Sequence, residues 1–254
     1  MKTAPQRSNL GLVRSIDERR GETLAQQFKI AVLLPCYNEA LTIGDTVAAF
    51  RSVLPGAEVY VYDNNSKDAT CDVAKDAGAI VQRERRQGKG NVVRRMFADV
   101  DADIYVMADG DNTYDAPSVV MLIEKLLSEN LDMVVGSRAK TEDPRAYRHG
   151  HRFGNRMLTG VVAKIFGNDF QDMLSGYRVF SRRFVKSFPA LSRGFEIETE
   201  LTVHALHLAM PVGEYVTPYF SRPEGSSSKL STYKDGIKIL RMIIILFKEE
   251  KPLM

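Results

Sequence analysis

Continuous apolar runs alternate with helically spaced apolar residues through the first half of the chain. Lys29-Ile-Ala-Val-Leu-Leu-Pro35 is apolar throughout and ends in proline, the pattern of a strand buried in a parallel sheet. Leu41 to Leu54 predicts a helix, Glu58 to Asp63 a second strand, and Asp68 an N-cap for a helix running to Gly78. Ala79 to Gln82 follows as a short strand and Gly90 to Ala98 as a helix, and a strand from Asp103 runs into Asp109. Pro117 lies in the first turn of a helix reaching Ser128, and Leu131 to Val135 is the next strand, ending at Gly136-Ser137-Arg138. Strand and helix alternate at the spacing of βαβ units, which predicts an α/β domain with a mostly parallel, doubly wound sheet flanked by helices. Ligands of such sheets sit beyond the carboxyl ends of the strands. That edge collects Pro35–Glu39, Asp63, Asp109–Asp111 and Gly136–Arg138.

The pattern loosens after Arg138 into a polar loop to Gly150 and a helix from His151 to Phe166. Tyr177–Phe180 and Val212–Pro218 read as strands with a helix, Ile197–Ala209, between them, and Ser221–Thr232 is a Gly/Ser-rich loop. Residues 1–28 are polar and are expected to form a loosely ordered lead-in. The expected organisation is that lead-in, one domain over 29–233, and an amphipathic helix over 234–254. Within the last, Ile237 to Phe247 is strongly apolar but falls short of the roughly 20 residues a spanning helix needs. Lys234, Lys238, Arg241, Lys248 and Lys251 lie along or beside it, which predicts an interfacial helix lying in the plane of a membrane surface.

Composition narrows the classes. With 44% apolar and 26% charged residues over 254 positions, the chain can bury one large α/β core or two small ones. A net charge of +3 is too small to argue for nucleic acid. The basic residues cluster, however: Arg83, Arg85, Arg86, Lys89, Arg94 and Arg95 form one group, and Arg138, Lys140, Arg145, Arg148, Arg152 and Arg156 another. Two basic groups flanking an acidic turn suit an anionic substrate. The two cysteines, Cys36 and Cys71, have no CxxC or Cys/His ligand spacing, which argues for free thiols and against structural zinc. The N-terminal stretch lacks the apolar core of a signal peptide.

The acidic turn carries the candidate chemistry. Asp109-Gly110-Asp111 places two carboxylates at a strand's carboxyl end, where they can share one hard divalent cation with a diphosphate. An EF-hand is excluded, because its sixth loop position would be Tyr114 rather than Gly and its twelfth Val120 rather than Glu. A dinucleotide site needs a glycine-rich first βα turn, and Pro35-Cys36-Tyr37-Asn38-Glu39 has no glycine. Gly88-Lys89-Gly90 lacks the upstream Gly and following Ser/Thr of a P-loop, so NAD and ATP enzymes are disfavoured. Asp63, at the tip of the second strand, can accept hydrogen bonds from a base or ribose. The combination points to a nucleotide whose phosphates meet a metal and basic side chains. Glu196 and Glu198 read as acids favoured by the first turn of a helix, and His204 and His207 as ordinary residues.

In this order, Pro35-Cys-Tyr-Asn-Glu39, Asp63-Asn-Asn-Ser-Lys-Asp-Ala-Thr70, Gly88-Lys-Gly90, Asp109-Gly-Asp111 and Gly136-Ser-Arg138 resemble the family 2 inverting glycosyltransferases of GT-A fold. Asp172-Met-Leu-Ser-Gly-Tyr-Arg178, Gly194-Phe195 with Glu200, and Arg222-Pro-Glu-Gly-Ser-Ser-Ser-Lys229 are similar to dolichol-phosphate mannosyltransferases and bacterial polyprenyl-phosphate glycosyltransferases. The resemblance implies transfer of a hexose from GDP-mannose or a UDP-hexose to a polyprenyl monophosphate, at the cytoplasmic face of a membrane, with a divalent cation, Mg²⁺ or Mn²⁺. It implies a donor site of Pro35, Tyr37, Glu39, Asp63, Lys89, Asp109 and Gly110. Asp111, Asp109 and Thr113 would hold the metal, and Arg138, Arg148, Arg152, Arg222, Ser228 and Lys229 the phosphates and acceptor. Asp109, Asp111, Asp172 and Arg178 would be the catalytic set, with Arg178 alternatively a structural ion-pair partner. A membrane-protein partner or a homo-oligomer is compatible with it. Rival readings are an enzyme with a hydroxyl acceptor and Asp172 or Glu200 as base, a nucleotidyltransferase, and a non-catalytic nucleotide-sugar-binding protein.

Overall fold

The computed structural model describes residues 7–138, 160, 171–226, 229 and 232–250. In chain order the elements begin with α1 (Arg7–Gln27), β1 (Ile30–Cys36), α2 (Ile43–Val53), β2 (Glu58–Asp63) and α3 (Thr70–Asp76). Next come β3 (Ile80–Arg83), α4 (Lys89–Asp99), β4 (Ile104–Met107), α5 (Val119–Ser128) and β5 (Met133–Arg138). The second half supplies β6 (Arg178–Ser181), α6 (Arg182–Ser187), α7 (Ile197–His207), β7 (Val212–Thr217) and α8 (Thr232–Glu250). The helix expected over 151–166 lies outside the described residues.

All seven strands join one sheet in the order β3-β2-β1-β4-β6-β5-β7. Every pairing is parallel except those of β6, which runs antiparallel between β4 and β5. The alternation of the first five strands predicted the parallel part. The insertion of β6 came from no local pattern, since nothing in four residues states which neighbours they will join. Its two middle residues, Val179 and Phe180, are apolar and fully buried, which suits a place covered on both faces of the sheet.

Period-two side-chain alternation divides the core. Val32 and Leu34 of β1 face one layer with Val106, Phe50 of α2 and Leu122 of α5, while Ala31 and Leu33 face the other with Tyr105, Met107, Met96 of α4, Phe184 of α6 and Leu201 of α7. Each such large side chain, fully removed from water, contributes about 1.5–3 kcal/mol. A third, small cluster joins Met173, Val203, Ile239 and Ile243 where α8 lies on α7.

Two expectations are corrected. Residues 7–27 are a helix rather than a loosely ordered lead-in. Leu24 enters the core, Arg20 Nε donates to Glu124 Oε1 at 2.8 Å, and at Gly21 an added Cβ would stand 1.9 Å from the Val53 carbonyl oxygen. So few apolar anchors leave no periodic stripe to read. Asp68 also caps differently: α3 starts after Ala69, and Asp68 accepts from the Thr70 backbone at 3.0 Å and the Ala40 backbone at 3.1 Å, tying the β2 loop to the β1 loop. Three strand-end turns at this edge use a left-handed asparagine, Asn38 (φ 53°), Asn65 (φ 66°) and Asn112 (φ 57°), a conformation Asn tolerates better than most residues.

Candidate active site

The carboxyl ends of β1, β2, β4 and β5 converge on the acidic turn, as the strand order requires. β4 delivers Ala108, and the turn folds back under the start of α2. Gly110 is required there: an added Cβ would lie 2.5 Å from Cys36 Sγ, and its carbonyl oxygen accepts from Thr42 Oγ1 at 2.8 Å. The turn is thereby fixed to β1 and α2 before any ligand is considered.

Asp111 is buried. Its Oδ1 accepts from the Thr113 backbone at 3.2 Å and the Thr113 hydroxyl at 2.6 Å, and its Oδ2 is ion-paired with Arg222. Burial and the charge of Asp109 push the Asp111 carboxyl above the usual carboxylate range, and Arg222 pulls it back. Asp109 pairs with Lys89 Nζ at 2.5 Å, and the same ammonium lies 2.6 Å from Glu198 Oε1. Burial alone would lower the Lys89 ammonium, but Asp109 and Glu198 hold it well above the ordinary lysine value. Glu39, also buried and raised by that burial, has Lys229 Nζ at 3.5 Å and Arg222 at 4.0 Å, and Lys229 donates to the Asn38 carbonyl at 3.1 Å. The loop carrying Arg222 and Lys229 therefore lies over the carboxylates, its cations facing them.

Arg138 and Asp172 form a fork: Nε to Oδ2 at 2.6 Å, Nη2 to Oδ1 at 2.7 Å, with the Arg138 backbone N–H adding 3.1 Å to Oδ2. Burial, which alone would lower Arg138, is outweighed by Asp172, which raises it well above the usual guanidinium value. The Arg138 guanidinium also stands 5.5 Å over the Tyr219 ring. Asp63 ends β2 in register with Cys36, is buried, and accepts two long 3.3 Å bonds from the Ser66 backbone. Pro35 and Tyr37 are half-buried beside it. Arg148, Arg152 and Ser228 lie outside the described residues.

Three assignments change. Arg178, expected among the reacting groups, is wholly buried and donates to the Ser175 carbonyl (2.9 Å), Thr202 Oγ1 (3.0 Å) and the Met173 carbonyl. It holds the loop bearing Asp172 from within the core. Burial lowers it to about 10, which leaves it charged at neutral pH. Glu200, the rival base, accepts from the Leu191 and Ser192 backbones at 2.6 and 2.7 Å and so caps the chain entering α7. Glu198, read as a simple first-turn acid, instead faces Lys89. Tyr114, unassigned from sequence, joins the turn to both later loops: its hydroxyl accepts from the Gly176 N–H at 2.9 Å, and its ring lies 5.1 and 5.5 Å from those of Tyr177 and Tyr219. A tyrosine after an acidic turn carries no signal of that kind in the sequence.

The residues fit a divalent cation in a particular way. The described residues contain no group of three or more His, Cys, Asp or Glu arranged to hold a metal by themselves. Two hard carboxylates are present, and a guanidinium stands at Asp111 as a stand-in cation. That donor set matches an ion completed by substrate phosphates. Asp111 would hold it with Asp109, and the Thr113 hydroxyl, bonded to Asp111, orients the carboxylate.

Paired acids at the carboxyl edge of a mostly parallel seven-stranded sheet, under loops that carry cations, are the arrangement of a GT-A-type fold. The chain belongs to glycosyl transferase family 2, whose sequence profile matches residues 31–188. It is 55% identical over 125 residues to protein RfbJ of Shigella flexneri, covering 49% of this chain and 97% of that one. It is 37% identical over 225 residues to glycosyltransferase AglJ of Haloferax volcanii, covering 88% and 74%, and 24% identical over 222 residues to a dolichyl-phosphate hexose transferase of the same organism, covering 87% and 95%. The fold is shared with glucosyl-3-phosphoglycerate synthase of Mycobacterium tuberculosis, solved with Mn²⁺, UDP-glucose and phosphoglyceric acid: TM-score 0.68, 24% identity, over 91% of this chain and 82% of that one. The protein is a glycosyltransferase.

Proposed function

We propose that the enzyme transfers a hexose from a nucleoside diphosphate sugar, GDP-mannose or a UDP-hexose, to a polyprenyl monophosphate, with inversion at the anomeric carbon. The observation that carries this reading is the state of the two candidate bases. Asp172 has both oxygens on Arg138, and Glu200 has both on backbone N–H groups. A hydroxyl acceptor needs a base to take its proton. A phosphate monoester, with a second pKa near about 6, is already an anion at neutral pH. The dolichyl-phosphate hexose transferase among the relatives supports the same acceptor class.

In this reading an acceptor phosphate oxygen attacks the anomeric carbon as the bond to the diphosphate breaks, and the nucleoside diphosphate leaves. Asp111 and Asp109 would hold a divalent cation, which would supply charge neutralisation for that leaving group. Asp63, Glu39, Pro35 and Tyr37 line the nucleoside side. Arg222 and Lys229, facing carboxylates in the ligand-free enzyme, turn to the phosphates of the bound substrates, and Arg138 is held ready by Asp172.

The test is a thermal-shift screen of GDP-, UDP- and dTDP-sugars with and without Mn²⁺, then a transfer assay to polyprenyl phosphate with the best binder. Transfer is expected at a rate level with pH down to the acceptor's own titration. Efficient transfer to a sugar hydroxyl instead, with a rate that follows an enzyme group, rules the reading out. Asp63→Asn, which keeps an acceptor for the Ser66 N–H, is expected to raise the donor KM with kcat nearly unchanged, because a base or ribose contact is made equally in ground and transition states. A collapsed kcat at unchanged KM assigns Asp63 to another role.

The same reading places α8 at a membrane surface, where an isoprenoid acceptor resides. Among the described residues no helix is long and apolar enough to cross a membrane. Ile239 and Ile243 of α8 are buried against Met173 and Val203, while Ile237, Leu240 and Ile244 are exposed, with Lys238 and Arg241 also exposed beside them. One face thus joins the domain, and the other offers apolar side chains flanked by cations. Replacing Ile237, Leu240 and Ile244 with Ser leaves the buried face intact and is expected to abolish sedimentation with vesicles containing anionic phosphatidylglycerol. Undiminished sedimentation of that variant removes α8 as the contact.

A further inference from the structure

The ammonium on Asp109 is held from two sides. Lys89 Nζ stands 2.5 Å from Asp109 Oδ1 and 2.6 Å from Glu198 Oε1, and side-chain exposure falls from 29% at Asp109 to 11% at Lys89 and 5% at Glu198. Water therefore reaches this bridge from the Asp109 end, and Glu198 lies beneath it. The Phe195 ring, 6.0 Å from Nζ, covers another side.

The turn that carries Lys89 is fixed in place. Gly88 has φ +124°, and an added Cβ at Gly88 or Gly90 would stand 2.1 Å from the Arg193 carbonyl oxygen or 2.4 Å from that of Ser192. The turn thus lies directly on the backbone entering α7. That backbone is itself capped, by Glu200 at Leu191 and Ser192 and by Glu196 at Arg193 and Gly194. From the opposite side Gly176 approaches so closely that a Cβ there would lie 2.9 Å from Asp109 Oδ2 and 3.1 Å from Lys89 Nζ. The glycines and caps leave Lys89 little choice of path, and the pull of its second carboxylate then decides where the ammonium rests.

We propose that Glu198 is a positioning residue of the transfer reaction: it anchors Lys89 from below, so that the ammonium holds Asp109 in the one orientation that serves the donor. The inference rests on the donor site described above and extends it to a residue that touches no substrate. Lysine is a point charge on a flexible stem, so two partners localise it where one would not. Glu198 then acts only through Lys89, and the two residues cannot contribute independently.

Four enzymes test this: wild type, Glu198→Gln, Lys89→Met and the double variant, with UDP-glucose and GDP-mannose as donors, Mn²⁺ and polyprenyl phosphate. Glu198→Gln is expected to lower kcat by about 10–100-fold, the usual cost of losing a partner that orients a site residue. The double variant is expected to be no slower than Lys89→Met alone. Urea midpoints give a second readout. Lys89→Met leaves a buried carboxylate unpaired and unfolds at lower urea, and adding Glu198→Gln recovers part of that loss. Wild-type kcat in Glu198→Gln, or a double variant slower than Lys89→Met by the full Glu198→Gln factor, overturns the proposal while leaving the donor site standing. A wild-type enzyme that neither binds nor uses a nucleotide sugar overturns the donor reading and this role with it. In that case stability coupling between the two variants shows only the structural bridge.

Discussion

Asp111→Asn is expected to lower transfer by about three orders of magnitude while leaving the protein folded. The loss follows from charge. A carboxylate that neutralises a leaving diphosphate through a cation contributes several kcal/mol to the transition state, and each 1.36 kcal/mol is about tenfold in rate. Asparagine keeps the volume and still accepts from Thr113, so the turn stays in place. Stability is expected to hold or rise, because in the ligand-free protein Asp111 is a buried acid beside another acid, raised by burial and by Asp109. Arg222, its ion-pair partner, remains with Glu39 at 4.0 Å. The measurements are kcat with and without added Mn²⁺, Mn²⁺ binding by calorimetry, and the unfolding midpoint. Wild-type turnover by the variant, or unchanged Mn²⁺ binding in the presence of UDP, removes Asp111 from the role.

Arg178→Met should cost about 3 kcal/mol of stability or more, because it strands three buried acceptors. Methionine matches the stem in length but leaves the carbonyls of Ser175 and Met173 and the Thr202 hydroxyl without the guanidinium donors they now have. Each buried acceptor so stranded costs about 1–3 kcal/mol. Arg178→Lys is expected to recover little, since an ammonium cannot reproduce the planar fork that serves three directions at once. The same loop carries Asp172, so what folds of the variant should also transfer slowly. A urea midpoint within experimental error of wild type would show that the network is dispensable and return Arg178 to the reacting groups.

These two arginine and aspartate positions show how differently the sequence speaks. Asp111 could be placed from its neighbours alone, because an acidic turn after an apolar strand must sit at the carboxyl edge of a parallel sheet. Arg178 could not. Its position at the start of a strand looked equally like a reacting group, and only its burial between β4 and β5, in register with Met107 and Val135, shows what it bonds.

What the chain determined by itself is the material governed by local periodicity and turn chemistry: the strands and helices of the first half, the edge where their ends gather, and the acids and glycines of the turns there. Such signals act over a few residues, so they survive in a linear reading. Tertiary structure alone decided the antiparallel insertion of β6, the helix α1 that rests on a leucine, a glycine and an arginine, and the partners of each charged group. Asp172 reads the same whether it is an available base or locked on Arg138, and Glu198 reads the same as a first-turn acid or as the anchor of Lys89. Coulombic pairing and burial depend on which distant segments the sheet brings within a few ångströms, and no spacing along the chain encodes that distance.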